Sequence, residues 1–246
     1  MENYAFLTKA LFKTEDIKKE ITSESKMFAI IRSLIKSLRI VKLKGGLYAT
    51  INPITGDIFA NKFEIATALQ KDSFVGYHSA LEFYGLGTQM FSEIQVLTPT
   101  QYLSQEIDGL DYRFFKTTYF KGVNEVEQND TIRVTELERT VVDCIDRIDI
   151  AGGIEEVFTA LSAINYCDEA KILMHLDNYG KKYIYKKAGY LFSLLKPSYL
   201  SDKFYEECKN NISQRDDDIR ENKRISGKYI SEWKLIVPET ILNTEN

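Results

Sequence analysis

The sequence predicts an α+β protein, with an N-terminal winged helix-turn-helix, then a mixed α/β middle region and a mainly helical C-terminal part. Three observations predict this fold class. The first fifty residues combine helical apolar spacing with one strand–Gly-Gly–strand pattern, the middle carries short β-rich runs, and helical spacing dominates the last hundred residues. Since 246 residues are many for one compact domain, we expect a winged-helix domain over residues 1–55 and an α+β domain over residues 56–246.

The composition is that of a globular protein with a buried core. Apolar residues make up 44% of the chain and charged residues 28%, which excludes a disordered chain. Cys144, Cys167 and Cys208 are far apart in sequence, so we expect free thiols in a reducing compartment and no zinc site. The chain begins without a signal-peptide pattern and has no apolar run approaching roughly 18 residues. We therefore expect a cytoplasmic protein without membrane contact.

The charge is distributed unevenly along the chain. Residues 1–50 contain ten Lys and Arg against five Asp and Glu, a net charge of +5, whereas residues 51–246 carry a net charge of −9. A basic segment on an acidic body is typical of a protein whose one end meets a polyanion. The alternative is random variation over fifty residues.

Three helices are predicted before residue 40. Residues 4–12 place apolar side chains on one helical face, and Thr14 before two acidic residues has the pattern of an N-cap. A longer helix is expected from the break at residues 22–25 to about Arg39.

The longer helix is predicted to be amphipathic. Its buried stripe is expected to consist of apolar residues at helical spacing, widened by three neighbours: Phe28, Ile31, Ile35 and Leu38, with Met27, Ile30 and Leu34. Small and basic residues, which suit a groove lined with phosphates, lie opposite: Lys26, Ala29, Arg32, Ser33 and Lys36. The helix has no Asn or Gln for adenine, so the sequence indicates weak hydrogen-bonded readout of bases.

A β-hairpin is predicted directly after this helix. The stretch IVKLKGGLYAT reads as strand, tight turn and strand. In a winged helix-turn-helix the third helix enters the major groove and the hairpin contacts the adjacent backbone. The predicted DNA-contacting residues are Ser25, Lys26, Arg32, Ser33, Lys36, Lys42, Lys44, Gly45 and Gly46. The alternative is a winged helix that contacts only protein.

The middle region predicts a small sheet with flanking helices. Residues 61–70 and the stretch ALEFYGL, with Ser79 as its cap, favour helices. Residues 93–98, 112–117 and 131–134 favour strands.

The stretch VTELERTVVDCIDR predicts a capped amphipathic helix. Thr135 and Glu138 have the spacing of a capping box, and Arg139 and Asp143 are placed to pair one turn apart. A capped amphipathic helix by itself explains this order of residues. The alternative is that Arg139 has a role in binding.

The C-terminal part predicts helices over residues 155–163 and 168–179, and then a lysine-rich stretch, KKYIYKKAGYLFSLL. Four lysines stand among its tyrosines: Lys181, Lys182, Lys186 and Lys187. An amphipathic helix with solvated lysines is one interpretation, and a site for RNA or a protein partner is the other. Beyond it, RDDDIRENKR predicts an exposed loop and KYISEWKLIVP a strand.

No familiar enzyme motif is present. The chain lacks the phosphate-binding and dinucleotide-binding glycine patterns, HExxH and GxSxG, so we expect no enzyme, no cofactor and no metal ion. The alternative is a degenerate metal-dependent nuclease in which Glu93 helps to hold Mg²⁺. Against it, Gln95 stands where a lysine would help such a site.

Several short motifs follow one another in an order found in a known family. They are KGGLYAT, YHSALEFYGL, VLTPT, YRF, RVTELERTVVDCIDR followed by Gly152-Gly153, and KKAGYLFSLL, and they span most of residues 25–195. With this ordered set the chain resembles the AbiEi antitoxin family of type IV toxin–antitoxin and phage abortive-infection systems. The first twenty-five and last fifty residues lie outside the resemblance.

The resemblance implies an N-terminal winged helix-turn-helix that binds inverted operator repeats upstream of its own operon and represses it. It also implies that residues 56–246 form an antitoxin domain, which counters a nucleotidyltransferase-like toxin without a stable complex. The candidate antitoxin surface consists of Arg139, Lys181, Lys182, Lys186 and Lys187.

Overall fold

The chain adopts an α+β fold. The computed structural model describes residues 4–220 and 222–242, and these contain ten α-helices and three β-sheets. The predicted α+β class is therefore confirmed, whereas the N-terminal winged helix-turn-helix stays a prediction. The three cysteines are buried free thiols, as expected. Within the described residues, no helix combines the length and the hydropathy that crossing a membrane requires.

The chain divides into two compact units. The first comprises residues 1–75 and 91–134, and the second comprises residues 76–90 and 135–246. The sequence-based domain boundary at residue 55 stays a prediction.

The first unit contains two sheets and three α-helices among its described residues. Its elements are β1 (Leu11–Lys13), α1 (Thr14–Lys18), α2 (Glu24–Lys36), β2 (Ile40–Lys44), β3 (Leu47–Thr50), α3 (Lys62–Leu69), β4 (Phe74–Val75), β5 (Glu93–Thr98), β6 (Gln105–Ile107), β7 (Leu110–Lys116), β8 (Val123–Glu127) and β9 (Thr131–Thr135). An antiparallel sheet has the order β1-β3-β2, and a mixed six-stranded sheet has the order β6-β7-β5-β4-β9-β8. The predicted strands of the middle region are thus all present.

The start of the chain differs from the prediction. Residues 4–12 are predicted as a helix, but only Ala5–Thr8 forms a short 3-10 helix, and the residues after it form β1. β1 pairs antiparallel with β3, with Leu11 opposite Ala49. The helix predicted over residues 4–12 is wrong because local apolar spacing carries no information on such a distant strand pairing.

Helix α2 buries only part of the predicted stripe. Met27, Ile31 and Leu34 are buried, whereas Phe28 and Ile35 are exposed. Both sets have helical spacing, and the hydrophobic cluster beneath α2 accommodates the first set. The prediction that Phe28 and Ile35 are buried is wrong, because periodicity cannot say which of two apolar lines meets the rest of the unit.

Helix α2 also ends before Arg39. Leu38 adopts a left-handed backbone with φ 52°, and its side chain is exposed, contrary to the prediction. The N–H of Arg39 donates to the carbonyl oxygen of Leu34, and the N–H of Leu38 donates to that of Ile35, both at 3.0 Å. These two bonds form a Schellman motif, which closes the helix.

Helix α3 begins with a reciprocal capping box. The Asn61 side chain accepts the N–H groups of Phe63 and Glu64, and the Glu64 carboxylate accepts the N–H of Asn61 at 2.8 Å. The other carboxylate oxygen of the buried Glu64 accepts the N–H groups of Asn129 and Asp130, both at 2.9 Å. One side chain therefore caps α3 and holds the turn between β8 and β9.

The second unit is mainly helical, with a small sheet near the C-terminus. Its elements are α4 (Tyr77–Phe83), α5 (Leu137–Asp146), α6 (Ile154–Ser162), α7 (Glu169–Tyr179), α8 (Lys182–Leu195), α9 (Asp202–Asn211), β10 (Asp217–Asp218), β11 (Gly227–Ile230), β12 (Leu235–Pro238) and α10 (Glu239–Leu242). The sheet has the order β10-β12-β11, so the run predicted as one final strand forms a hairpin, and the run predicted as a loop contributes β10.

Two predicted helix caps in this unit are wrong. Ser79 lies buried inside α4 and not at its start. The Thr135 hydroxyl shares a hydrogen bond of 2.7 Å with Thr140, and the Glu138 carboxylate accepts the N–H of Asp168 at 2.9 Å. Both members of the expected capping box thus bind other groups. Asp168, the partner of Glu138, is distant in sequence, so a local motif could not indicate this contact.

Candidate nucleic-acid interface

An exposed, basic face of α2 is the candidate nucleic-acid interface. Ser25, Lys26, Arg32, Ser33 and Lys36 are all exposed. Residues three, four or seven positions apart share one side of a helix. Ser25, Arg32 and Lys36 therefore form one line along α2, and Lys26 and Ser33 form an adjacent line. With the small Ala29 between them, the two lines make one face of small and polar side chains.

Two carboxylates of the N-terminal segment, those of Asp16 and Glu20, are held by other groups. Asp16 accepts hydrogen bonds from the ammonium groups of Lys9 at 2.9 Å and Lys19 at 3.2 Å, and from the N–H of Lys13 at 2.9 Å. Burial raises the pKa of Asp16, but these bonds and charges outweigh it and lower the pKa to about 2. Glu20 accepts two N–H groups of the 3-10 helix. Asp16 and Glu20 therefore do not compensate the cations of α2, and Glu24, at the start of α2, lies 3.9 Å from Lys18.

The cations of α2 form no ion pair with the described carboxylates. In the part of the chain that the structure describes, no carboxylate lies at ion-pair distance from Lys26, Arg32, Lys36 or Lys42. The Arg32 Nε donates to the carbonyl oxygen of Phe28 at 3.3 Å, which lays the guanidinium along the helix. Solvated cations without partners on one face attract anions, phosphates above all.

The two lysines of the β2–β3 hairpin differ in their surroundings. Lys42 is exposed, whereas Lys44 is half-buried. The Lys44 ammonium donates to the carbonyl oxygen of Leu69 at 2.8 Å and lies 5.7 Å from the centroid of the Tyr102 ring. Lys44 therefore holds the hairpin to the rest of the first unit and is not free for the phosphate contact predicted for it.

The Gly45-Gly46 turn is anchored on one side. Gly46 has φ 77°, and its carbonyl oxygen accepts the N–H of Thr14 at 2.8 Å. Gly45 is exposed, and a Cβ built there would meet no atom within 4 Å. Of the four hairpin residues predicted to contact DNA, Lys42 and Gly45 are therefore the exposed ones.

Two residues of the candidate antitoxin surface are buried, which corrects the prediction. The Arg139 side chain is 0% exposed, and its Nε lies 3.4 Å from Oδ2 of Asp143. The Lys186 side chain is also 0% exposed, and its ammonium binds the Asp217 carboxylate at 2.8 Å and the carbonyl oxygen of Arg215. Buried charges need such partners, so both residues support the fold and cannot contact another molecule.

The pKa values of the Asp143 carboxyl and of the Tyr179 hydroxyl beside it are both raised. Burial raises the pKa of Asp143 to about 6, although the Arg139 guanidinium and a hydrogen bond from the Tyr179 hydroxyl lower it. Burial also raises the pKa of the Tyr179 hydroxyl, and the Asp143 charge raises it further. These groups belong to the interior of the second unit.

The other three lysines of the candidate antitoxin surface lie at or near the start of α8. Lys181 and Lys182 are exposed, and the Lys181 ammonium pairs with Asp146 at 2.6 Å. Lys187 is half-buried and donates to the carbonyl oxygens of Ile145 at 3.1 Å and Asp146 at 3.0 Å. Burial lowers the pKa of Lys187. Lys181 and Lys182 are thus the members of this set that face solvent.

Glu93 lies on β5 beside protein donors. Its two carboxylate oxygens accept hydrogen bonds from the Gln95 amide at 2.9 Å and from the Arg113 guanidinium at 3.0 Å. Among the residues that the structure describes, no three His, Cys, Asp or Glu side chains converge as a metal site would require. The surroundings of Glu93 therefore offer nothing in favour of the nuclease alternative.

Sequence reasoning missed that Phe28 and Ile35 belong to the exposed face of α2. Their side chains are 52% and 37% exposed. A signal was available, because Met27, Ile31 and Leu34 by themselves have the i, i+4, i+7 spacing of a complete buried stripe.

Comparison with known proteins supports the fold alone. No protein-family model matches the chain, and no curated protein matches it. The crystal structure of the RV2827C protein from Mycobacterium tuberculosis is similar, with a TM-score of 0.69 over 96% of this chain and 89% of that chain. The two sequences are 14% identical, so this likeness concerns the fold and not the function.

Proposed function

We propose that the chain is a DNA-binding autorepressor and antitoxin of a type IV toxin–antitoxin phage-defence system, which counteracts a nucleotidyltransferase-like toxin. In this proposal α2 enters the major groove of operator repeats upstream of the chain's own operon. The observation that carries the DNA-binding part is the exposed face of α2, whose Lys26, Arg32 and Lys36 have no carboxylate partner among the described residues.

The electrostatics of α2 favour a polyanion as its partner. Its segment, residues 1–50, carries a net charge of +5. Asp16 and Glu20 already bind Lys9, Lys19 and backbone N–H groups, and Glu24, at the start of α2, lies 3.9 Å from Lys18. A protein that places such cations on phosphates releases condensed counterions, which gives salt-dependent affinity. Serines beside the cations add hydrogen-bond donors for phosphate oxygens.

The order and size of the elements also fit this mode of binding. Helix α2 has 13 residues, or roughly 20 Å at about 1.5 Å per residue, and a groove about 12 Å wide admits such a helix. The β2–β3 hairpin follows α2 directly, where a wing is expected. The exposed Lys42 on β2 is then the wing residue best placed for a phosphate.

The antitoxin part of the proposal depends on the ordered motifs that resemble the AbiEi family. In the structure these motifs lie on the β2–β3 turn, α4, the end of β5, β7, the β9–α5 segment and α8. With Arg139 and Lys186 buried, the exposed Lys181 and Lys182 are the residues that we propose for contact with a partner or RNA.

A mobility-shift assay with the chain's own upstream DNA tests the DNA-binding part. We expect saturable binding that weakens steeply with salt, and we expect the full-length double variant Arg32→Ala with Lys36→Ala to lose most of it. The matched control is Lys9→Ala with Lys19→Ala, which removes the same charge from residues that are already paired with Asp16. If both variants lose DNA affinity equally, only net charge matters, and this result would contradict the α2 interface.

Co-expression with the neighbouring nucleotidyltransferase-like gene tests the antitoxin part. We expect the wild type to restore growth, and we expect the Arg32→Ala, Lys36→Ala variant to do so too, while it no longer represses a reporter behind the operon's promoter. If no such neighbour exists, or growth is not restored, the antitoxin part of the proposal fails.

A protein-interaction module without DNA binding is the second candidate. The observation that favours it is the exposure of three large apolar side chains at α2, those of Phe28, Ile35 and Leu38. This candidate predicts co-purification with a protein partner and no retention of DNA even at low salt.

A further inference from the structure

An apolar line runs along α2 beside its unpaired cations. Phe28 is 52% exposed and Ile35 is 37% exposed. They are seven residues apart, so at about 100° per residue their directions differ by only ~20°. Arg32 lies between them in sequence and about 40° from Phe28 around the helix. The exposed face of α2 therefore combines an apolar line with a cationic one.

Among the described residues, the hydrophobic cluster of the N-terminal segment does not include Phe28 or Ile35. The buried side of α2 is complete with Met27, Ile31 and Leu34, which belong to the hydrophobic cluster of the N-terminal segment. A single exposed apolar residue is common in soluble proteins. Two on one line, next to cations that have no carboxylate partner among the described residues, indicate a contact surface.

The charge of the face selects among the molecules that could cover it. Arg32 adjoins the apolar line and Lys36 lies one turn beyond Arg32. No described carboxylate lies at ion-pair distance from either residue. A second copy of the same face would bring like charges together, whereas DNA supplies phosphates. The major groove of DNA also supplies one apolar group, the C5-methyl of thymine, which apolar side chains contact.

The residues of α2 limit what else it can read. The helix, ESKMFAIIRSLIK, contains no Asn or Gln for bidentate contact with adenine. At an A·T pair, the groups left for an apolar residue to read are therefore the thymine methyls. We infer that Phe28, supported by Ile35, is a specificity-determining residue that recognises thymine C5-methyl groups in the major groove. This inference rests on the proposed DNA binding and adds the chemical group that is read.

Replacing thymine by deoxyuridine in the upstream DNA tests the inference, because it removes the methyl and keeps base pairing and phosphate charge. Each buried methyl contact that is lost weakens binding about fourfold. We expect the wild-type chain to bind the deoxyuridine fragment at least fourfold more weakly than the thymine fragment, and we expect Phe28→Ser to bind both fragments equally.

Phe59→Ser is the matched control. Phe59 is also 52% exposed and belongs to the same unit, but it lies outside α2. This variant loses the same exposed ring, and we expect it to keep the wild-type discrimination between the two fragments. Circular dichroism checks that both variants are folded.

The remaining outcomes separate this inference from the proposed function. If the wild-type chain binds both fragments equally, the methyl readout is wrong while DNA binding stands. If it binds neither fragment at low salt, the proposed function itself fails. Sedimentation of Phe28→Ser reports whether the apolar line is a contact between protein chains. If this variant differs from the wild type in oligomeric state and keeps the discrimination between the two fragments, the line binds protein and the inference is overturned.

Discussion

The Arg139 guanidinium and the Asp143 carboxylate lie one turn apart on α5, both fully buried, with Nε 3.4 Å from Oδ2. A buried ion pair contributes little net stability compared with apolar residues, but breaking one leaves an uncompensated charge in the interior. The pair therefore explains why Arg139 is tied to the fold and not to a binding surface.

Removal of Arg139 should destabilise the second unit strongly. We expect Arg139→Ala to lower the free energy of unfolding by about 3–5 kcal/mol at pH 7.5, because Asp143 is left charged and buried. The loss should shrink near pH 5, because the pKa of Asp143, about 6 in the wild type, rises further without the guanidinium and the carboxyl then takes up a proton. Urea unfolding at the two pH values measures both effects.

The control for this prediction is Arg147→Ala. Arg147 pairs with Asp149 at 2.8 Å, and both side chains are exposed. Exposed pairs contribute at most about 1 kcal/mol, so equal losses for the two arginines would contradict the assignment of Arg139 to the interior.

Asp16 should make the N-terminal segment sensitive to acid. Its folded-state pKa of about 2 lies below the unfolded value of 3.8, so its contribution to stability is complete above pH 4 and is lost as the pH falls towards 2. We expect Asp16→Asn to cost about 1–2 kcal/mol at pH 7, allowing for solvent screening of the partly exposed pair. Thermal unfolding between pH 2 and pH 7 measures the difference.

The pH profile of Asp16→Asn should also be flatter than that of the wild type below pH 4. Asp57, which is exposed in a loop, serves as the control, and Asp57→Asn should follow the wild-type profile. If the Asp16 variant has the wild-type pH profile, the pairs of Asp16 with Lys9 and Lys19 do not contribute to stability, which would contradict the prediction.

Lys36 and Lys44 should behave differently on DNA. Each phosphate contact that is lost reduces the slope of log K against log salt by about 0.9. We expect Lys36→Ala to reduce the slope by about one, because Lys36 is exposed and has no carboxylate partner among the described residues. Lys44→Ala should leave the slope unchanged and lower stability instead, because its ammonium binds the Leu69 carbonyl. Equal slopes in the two variants would contradict the assignment.

Substitutions of Lys186 and Lys182 should have different effects on stability. We expect Lys186→Ala to cost about 3 kcal/mol, because the Asp217 carboxylate loses its buried partner. Lys182→Ala should stay within about 0.5 kcal/mol, because Lys182 is exposed. Urea unfolding measures both values, and a growth assay with the toxin then shows whether Lys182 matters for neutralisation.

Gly189 should tolerate no side chain. A Cβ on Gly189 would overlap Cζ3 and Cη2 of the Trp233 ring. We expect Gly189→Ala to cost about 1–3 kcal/mol through overpacking and to shift the fluorescence of Trp233, the only tryptophan in the chain. Gly45→Ala is the control, because a Cβ there meets open space. Unchanged tryptophan emission in Gly189→Ala would contradict this packing.

Several elements follow from local patterns and could be predicted. The amphipathic spacing of α2, the Gly-Gly turn between β2 and β3 and the continuous apolar run of β5 each depend on neighbours in the sequence. The pairing of Arg139 with Asp143 was predictable for the same reason, since four residues make one helical turn.

Other features depend on residues that are far apart. The pairing of β1 with β3, the capture of Lys44 by the Leu69 carbonyl and the burial of Lys186 against Asp217 join segments separated by more than twenty residues. No local period encodes these contacts. The residues of β1 are therefore predicted as helix, and Lys44 and Lys186 are predicted as surface residues.

The sequence by itself determined the α+β class, the basic segment at residues 1–50 and the presence of an amphipathic α2. Only the tertiary structure decided that Met27, Ile31 and Leu34 are buried and that Phe28 and Ile35 face solvent beside Arg32. The physical reason is that periodicity defines lines along a helix, whereas burial depends on which line the packed neighbours cover.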